Sequence, residues 1–143
     1  TPADISLCVM PLFHVHGLVA STLSTLQSGG TVAIPNKFNP LSFWRTVSDS
    51  GATWYSAVPT IHNLLLSRAT ERPAGCEGLR FIRSCSAALP PDMMAKMEEQ
   101  GHSVLYYENI EGGHGGAANN RQSAFMQAIA YTFLKQQLFA EGK

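Results

Sequence analysis

Charged residues are scarce in this chain, and neither sign is in excess. Ten Lys and Arg residues balance ten Asp and Glu residues, and charged residues make up 14% of the 143 positions. No cluster of basic residues is present, so neither nucleic acid nor an anionic membrane surface is an expected partner. A net charge of zero predicts some self-association. We expect no specific partner.

Cysteines and long apolar runs are also few. The three cysteines, Cys8, Cys76 and Cys85, follow no disulfide or metal-binding spacing, which favours a reducing compartment. No stretch of 18 uncharged apolar residues occurs, and the first residues lack the basic segment that begins a signal peptide. The sequence therefore predicts a soluble, cytoplasmic protein without a targeting signal.

Apolar, strand-like segments alternate with helical segments along the chain. The predicted strands are residues 5–10, 31–35, 53–58, 79–84 and 103–109. Prolines mark several helix starts, and glycines mark several helix ends. This alternation predicts a single α/β domain over residues 1–143, with a five-stranded parallel sheet and helices on both faces. The expected architecture is three-layered, flavodoxin-like or Rossmann-like.

Four motifs follow one another in residues 1–95. They are Pro-Leu-Phe-His-Val-His-Gly at 11–17, Gly-Gly-Thr-Val at 29–32, Gly-Ala-Thr-Trp-Tyr-Ser-Ala-Val-Pro-Thr-Ile at 51–61 and Ser-Cys-Ser-Ala-Ala-Leu-Pro at 84–90. In this order the motifs resemble the adenylate-forming acyl-CoA synthetases, and most closely the branch of the oxalate–CoA and coumarate–CoA ligases.

That resemblance implies roles for several residues. His14 would line an acyl pocket, and Ser86, Ala87 and Ala88 would border the adenylate site. The simpler alternative is that His14 and His16 only close a strand end and that Ser86 only caps a turn.

The family uses ATP, Mg²⁺ and CoA. Its Ser/Thr/Gly-rich phosphate loop, Tyr-Gly-x-Thr-Glu segment, ribose-binding Asp and catalytic Lys are not found in these 143 residues. Adenylation requires stabilisation of charge on a polyphosphate. We therefore expect no cofactor and no ligase activity.

The later part of the chain shows a different likeness. Glu-Asn-Ile-Glu-Gly-Gly-His-Gly-Gly at 108–116 resembles the catalytic-histidine loop of prolyl-oligopeptidase-type serine peptidases. The resemblance implies that His114 is a general base. The Gly-x-Ser-x-Gly nucleophile motif of such enzymes is absent from the sequence, so His114 is expected to be vestigial and without a catalytic role.

Together the two resemblances favour an engineered chimera without a native catalytic function. Residues 1–95 would derive from an acyl-CoA synthetase and residues 96–143 from a peptidase, joined within a helix near residues 92–100. Two alternatives remain. The first is a fragment of an adenylate-forming acyl-CoA synthetase that retains part of the acyl and adenylate pocket, and the second is an anion-binding module.

The anion-binding alternative depends on the glycine-rich loop. Gly112, Gly113, Gly115 and Gly116 precede a predicted helix, so their N–H groups could face a bound anion.

The histidines of the chain also suggest a possible metal site. His14 and His16 could combine with His114 or Glu111, because imidazole and carboxylate groups both bind zinc. No third ligand is certain, and we predict that the protein holds no metal.

Overall fold

The computed structural model describes residues 1–68, 73–102, 104 and 119–139. The chain divides into two compact units, Thr1–Ser103 and Val104–Lys143, and each is described here by itself. The single domain over residues 1–143, and its division at residue 95, stay predictions.

The first unit is built on a parallel β-sheet. Its strands are β1 (Ile5–Cys8), β2 (Thr31–Ala33), β3 (Trp54–Ala57) and β4 (Phe81–Ser84). They are arranged in the order β2-β1-β3-β4, and every neighbouring pair is parallel. The sequence predicted five strands, whereas the sheet has four in the described residues. The fifth, at 103–109, lies outside those residues except for Val104.

One face of the sheet is apolar. The strand register aligns Leu7 with Tyr55 and Tyr55 with Ile82, so these three side chains share a face. Helix α2 (Phe43–Ser50) and helix α3 (Pro59–Leu66) cover this face. The buried core consists of Leu7, Phe43, Val47, Ala52, Tyr55, Ala57 and Leu65. Burial of each large side chain of this kind contributes roughly 1.5–3 kcal/mol.

The opposite face carries the polar residues Ser6, Ser56 and Arg83, together with Trp54 and Phe81, whose rings stack with centroids 5.2 Å apart. A π-helix (His16–Leu23) continues as helix α1 (Ser24–Gln27) and packs on this face. The thiol of Cys8 lies 3.7 Å from the carbonyl oxygen of Gly17 and 3.6 Å from the hydroxyl of Thr22. Helices therefore cover both faces of the parallel sheet, as the sequence predicted.

Helix α4 (Pro91–Glu99) follows β4, and a proline occupies its first turn because that position needs no N–H partner. Met93 and Met97 are buried, and Met94 is half-buried. The helix is continuous across the position where we predicted a junction.

The second unit contains helix α5 (Asn120–Phe139). The side-chain oxygen of Asn119 accepts a hydrogen bond from the backbone N–H of Gln122 at 3.0 Å, which caps the helix. Phe125 is 56% exposed. Within the described residues, no helix is long and apolar enough to cross a membrane.

Candidate functional site

A cluster of polar side chains lies where strands β1, β3 and β4 end. The chain leaves β1 toward β2 on one side and returns to β3 on the other, so the direction of winding reverses between β1 and β3. In open α/β sheets, ligands bind in the crevice at the carboxyl ends of the strands beside such a reversal. His16, Ser56, Cys85 and Ser86 meet at this position.

The imidazole of His16 is the centre of this cluster. Its Nε2 lies 2.7 Å from the hydroxyl oxygen of Ser56, and its Nδ1 lies 3.2 Å from the hydroxyl oxygen of Ser86. Ser56 is fully buried in β3, whereas Ser86 is exposed in the loop after β4. One ring nitrogen of a neutral imidazole donates a hydrogen bond and the other accepts one. His16, which follows β1 in the chain, therefore connects to β3 through Ser56 and to the loop after β4 through Ser86.

The thiol of Cys85 contacts the same ring. Its sulfur lies 3.1 Å from Nε2 and 3.3 Å from Nδ1 of His16, and 4.0 Å from the hydroxyl oxygen of Ser56. Cys85 is half-buried, so its sulfur is both in contact with the ring and within reach of solvent.

The electrostatic surroundings keep His16 neutral. Burial lowers the pKa of His16 below its usual value of 6.5, and the positive charge of Arg83 lowers it further. Arg83 is the register partner of Ser56, so both side chains lie on the same face of the sheet. A neutral imidazole can donate one proton and accept another, which suits it to orienting a polar ligand or assisting a proton transfer.

Two local backbone features hold this geometry. Ser86 has φ of 74° and is the one non-glycine residue with positive φ in the described part of the chain. Such a conformation is uncommon for a residue with a side chain and often marks a functional loop. A side chain at Gly17 would meet the carbonyl oxygens of Met10 and Pro11, so glycine is required for the tight approach beside His16.

The predicted site residues have different outcomes. Ser86 lies in the cluster, and Ala87 and Ala88 are exposed in the loop directly after it. His14, predicted to line the pocket, is exposed, and its ring packs against Phe13 with centroids 4.6 Å apart. Of the two histidines, His16 is the one that points into the cluster.

The glycine-loop predictions fall on residues that the structure does not describe. His114, Gly112, Gly113, Gly115 and Gly116 all lie outside the described residues, as does Glu111 of the metal alternative. In the described ranges, no group of three His, Cys, Asp or Glu side chains could hold a metal ion. The absence of a metal stays a prediction.

Sequence reasoning missed Ser56 and Cys85. Ser56 interrupts a strand that is otherwise aromatic and apolar, and all four residues of that strand are buried. A buried hydroxyl requires a hydrogen-bond partner, so a serine in such a strand indicates a nearby polar group. The sequence offered that signal for Ser56, but it contained none that would pair Cys85 with His16.

Comparison with known proteins shows what this fold and cluster are similar to. A sequence model described as AMP-binding enzyme matches residues 1–114. A probable CoA ligase of Humulus lupulus, CCL9, is 44% identical over 122 residues, covering 82% of this chain and 23% of its own length. An oxalate–CoA ligase of Arabidopsis thaliana is 46% identical over 102 residues, covering 69% of this chain and 20% of its own.

Solved structures agree with the sequence comparisons. ATP-bound MatB from Rhodopseudomonas palustris has a TM-score of 0.65 and 28% sequence identity, covering 73% of this chain and 20% of that chain. This chain spans about a fifth of the length of the curated relatives described above.

The family match does not support the chimera interpretation. It extends through the junction predicted near residue 95 and includes His114, so the segment at 96–114 belongs with the residues before it. Nothing in these matches supports a peptidase origin for the later part. The four motifs in residues 1–95 were interpreted correctly, because the chain belongs to the AMP-binding enzyme family.

Proposed function

We propose that this chain is a segment of an adenylate-forming acyl-CoA ligase and that the cluster around His16 forms part of its acyl-adenylate pocket. The family assignment and the CoA ligases among its relatives support the reaction class. Because the chain spans about a fifth of those relatives, it supplies one wall of the pocket rather than the whole catalytic centre.

One observation supports this position above others, namely the joining of three strand ends by a single imidazole. His16 contacts Ser56 at the end of β3 and Ser86 after β4, while its own backbone follows β1. The cluster lies where doubly wound folds bind their ligands. Its hydroxyl and imidazole groups can form hydrogen bonds with the polar acyl-phosphate part of an adenylate.

The charge beside the cluster favours a small acid that carries a second anionic group. Arg83 is exposed, and within the described residues it forms no ion pair. A guanidinium group binds a carboxylate with two parallel hydrogen bonds. An acid such as oxalate, the substrate named for the Arabidopsis relative, could present its second carboxylate to Arg83.

We assign no residue of this chain to Mg²⁺ or CoA. The described residues contain no group of three metal-binding side chains, and the family's phosphate-handling motifs are not in the sequence. ATP, Mg²⁺ and CoA would serve the longer relatives through residues that this chain does not include. For this chain we therefore propose a part of the acyl-adenylate pocket and no binding site for Mg²⁺ or CoA.

The experiment is a titration of the isotopically labelled 143-residue chain, followed by NMR, with a non-hydrolysable oxalyl sulfamoyl adenosine. We expect chemical-shift changes at His16, Ser56 and Ser86, and none from inorganic phosphate at the same concentration. The His16→Gln variant should bind more weakly, whereas Arg45→Gln, a change on the exposed side of α2, should bind like the parent. Equal responses to phosphate and the analogue, or no response, would contradict the proposal.

A further inference from the structure

The three thiols of this chain differ in their surroundings. Cys8 and Cys76 are buried, with 3% and 0% of their surface exposed, while Cys85 is half-buried. Cys85 is also the thiol that contacts an imidazole, at 3.1 and 3.3 Å from the two nitrogens of His16. Partial exposure beside a base is the setting in which cysteines react, whereas fully buried thiols are inert.

The contacts of His16 suit it to act as the base for this thiol. In the tautomer in which Nε2 donates to Ser56 at 2.7 Å, Nδ1 carries the lone pair and lies 3.3 Å from the sulfur of Cys85. Ser56 then holds the ring in place, as a third group does in other pairs of nucleophile and base. The sulfur is nearly equidistant from the two ring nitrogens, and the Ser86 hydroxyl lies 3.2 Å from Nδ1, so proton transfer to Nδ1 requires that Cys85 rotate and replace Ser86 as the partner of that nitrogen.

Resting on the proposed function, we propose that Cys85 is a nucleophile that takes an acyl group from an acyl-adenylate bound at this site. The sulfur attacks the acyl carbonyl carbon, a C–S bond forms, and the bond between that carbon and the phosphate oxygen breaks. AMP leaves with the bonding electrons, and the thiol proton passes to Nδ1 of His16 and then to solvent. The product is a thioester on Cys85, with no change of oxidation state.

The first experiment ranks the thiols without any nucleotide. The folded 143-residue chain is treated with iodoacetamide, quenched at intervals, digested and measured by mass spectrometry. We expect Cys85 to be alkylated at least tenfold faster than Cys8 and Cys76, because the two buried thiols react only after a local opening of the fold. An opening that costs about 1.4 kcal/mol is enough to slow the reaction tenfold. Equal rates for the three thiols would overturn the proposal.

The second experiment tests acyl transfer, with chemically prepared acetyl adenylate as the probe. A mass increase of one acetyl group on the Cys85 peptide, removed by hydroxylamine, is expected in the parent chain and not in Cys85→Ser. In His16→Gln the rate should fall by about tenfold or more, because general bases commonly contribute at least that much. As the pH is lowered, the parent rate should fall because His16 becomes protonated, in addition to the fall that every thiol shows as its thiolate fraction decreases, and the variant should show only the second of these effects.

Arg45→Gln is the control variant, since Arg45 is exposed on α2 and outside the cluster. It should acetylate at the parent rate, and thermal melts establish that each variant is folded. Alkylation of Cys85 by iodoacetamide without acetylation by acetyl adenylate would overturn the nucleophile assignment. The proposed function is judged separately, by the titration with the non-hydrolysable analogue, so the two failures are distinguishable.

Discussion

Acidification from pH 7 to pH 4 should destabilise the first unit through the buried imidazole of His62. This side chain is 1% exposed, on the inner side of α3, and its ring packs against Tyr55 with centroids 5.7 Å apart. Neither ring nitrogen of His62 has a well-aligned hydrogen-bond partner. The nearby backbone groups of Ala57 and Arg83 raise the pKa of His62 and offset part of the lowering that burial causes. Burial, reinforced slightly by His16, lowers the pKa of His62 from 6.5 to about 4.

The size and sign of the effect follow from this difference in pKa. The unfolded chain takes up a proton at His62 near pH 6.5, whereas the folded chain resists it until about pH 4. The contribution of neutral His62 to the free energy of unfolding is therefore fully present above pH 6.5 and is lost progressively as the pH falls toward 4. At about 1.4 kcal/mol for each unit of pKa difference, the total loss is about 3 kcal/mol. Such a loss is a large fraction of the roughly 5–15 kcal/mol that stabilises a typical domain.

The assay is urea unfolding of the parent and of His62→Phe at half-unit steps between pH 7 and pH 4. Phenylalanine retains an aromatic ring against Tyr55 but cannot titrate, so the difference between the two unfolding free energies isolates His62. That difference should change by about 3 kcal/mol across the range, while titrating groups that do not interact with His62 affect both proteins alike. Parallel curves for the two proteins would refute this account of the buried imidazole.

Three further predictions concern the amino-terminal end of the sheet, the turn after β1 and catalysis. Arg80→Met should lower the free energy of unfolding by about 1–3 kcal/mol in thermal melts, because Asp4 is buried and Arg80 lies 2.6 Å from it. The control is Arg45→Met, a change at an exposed position, which should alter the free energy of unfolding by less than about 1 kcal/mol. Gly17→Ala should cost about 1–3 kcal/mol, since its methyl group would lie 2.6 Å from the carbonyl oxygen of Met10; an unchanged melting temperature would contradict this. The isolated chain should form no acyl-CoA from ATP, CoA and oxalate, and release no pyrophosphate in a coupled assay, and it should cleave no prolyl chromogenic substrate.

Much of the fold could be predicted because each element carries its own local signal. Pro59 and Pro91 begin helices where the sequence placed them, and Gly51 ends α2 in the left-handed conformation that glycine adopts most easily. The strands were predicted at the right places but too long. The first was expected to reach residue 10, yet β1 ends at Cys8, three residues before Pro11.

That shorter strand determines where the two histidines lie. Residues two apart share a face only while a strand continues, so a strand that reached these positions would have placed His14 and His16 on one face. The pocket role of His14 came from the resemblance to the acyl-CoA synthetases and stays a prediction. Because the strand ends at Cys8, the orientation of each histidine depends on the turn and the π-helix that follow. The turn leaves His14 exposed and buries His16, and π-helical turns are difficult to predict because they are rare.

The resemblance to a peptidase loop has a different physical basis. A glycine-rich loop before a helix is a common local solution, since glycine tolerates unusual backbone angles and exposes N–H groups. Nine residues of that kind can therefore resemble a loop of an unrelated enzyme. The family match over residues 1–114 carries more weight because it includes strands, helices and their order. Motif resemblance without the surrounding fold is weak evidence of origin.

The two faces of the sheet differ in a way that links the fold to the proposed pocket. Parallel sheets are usually covered on both faces and apolar throughout, and the face with Tyr55 follows that pattern. The other face places Ser56 and Arg83 next to each other in register, close to His16. Polar groups in a buried sheet cost free energy unless they are paired. Ser56 and Arg83 lie toward the carboxyl ends of their strands beside His16, which is where a substrate can reach them in a doubly wound sheet.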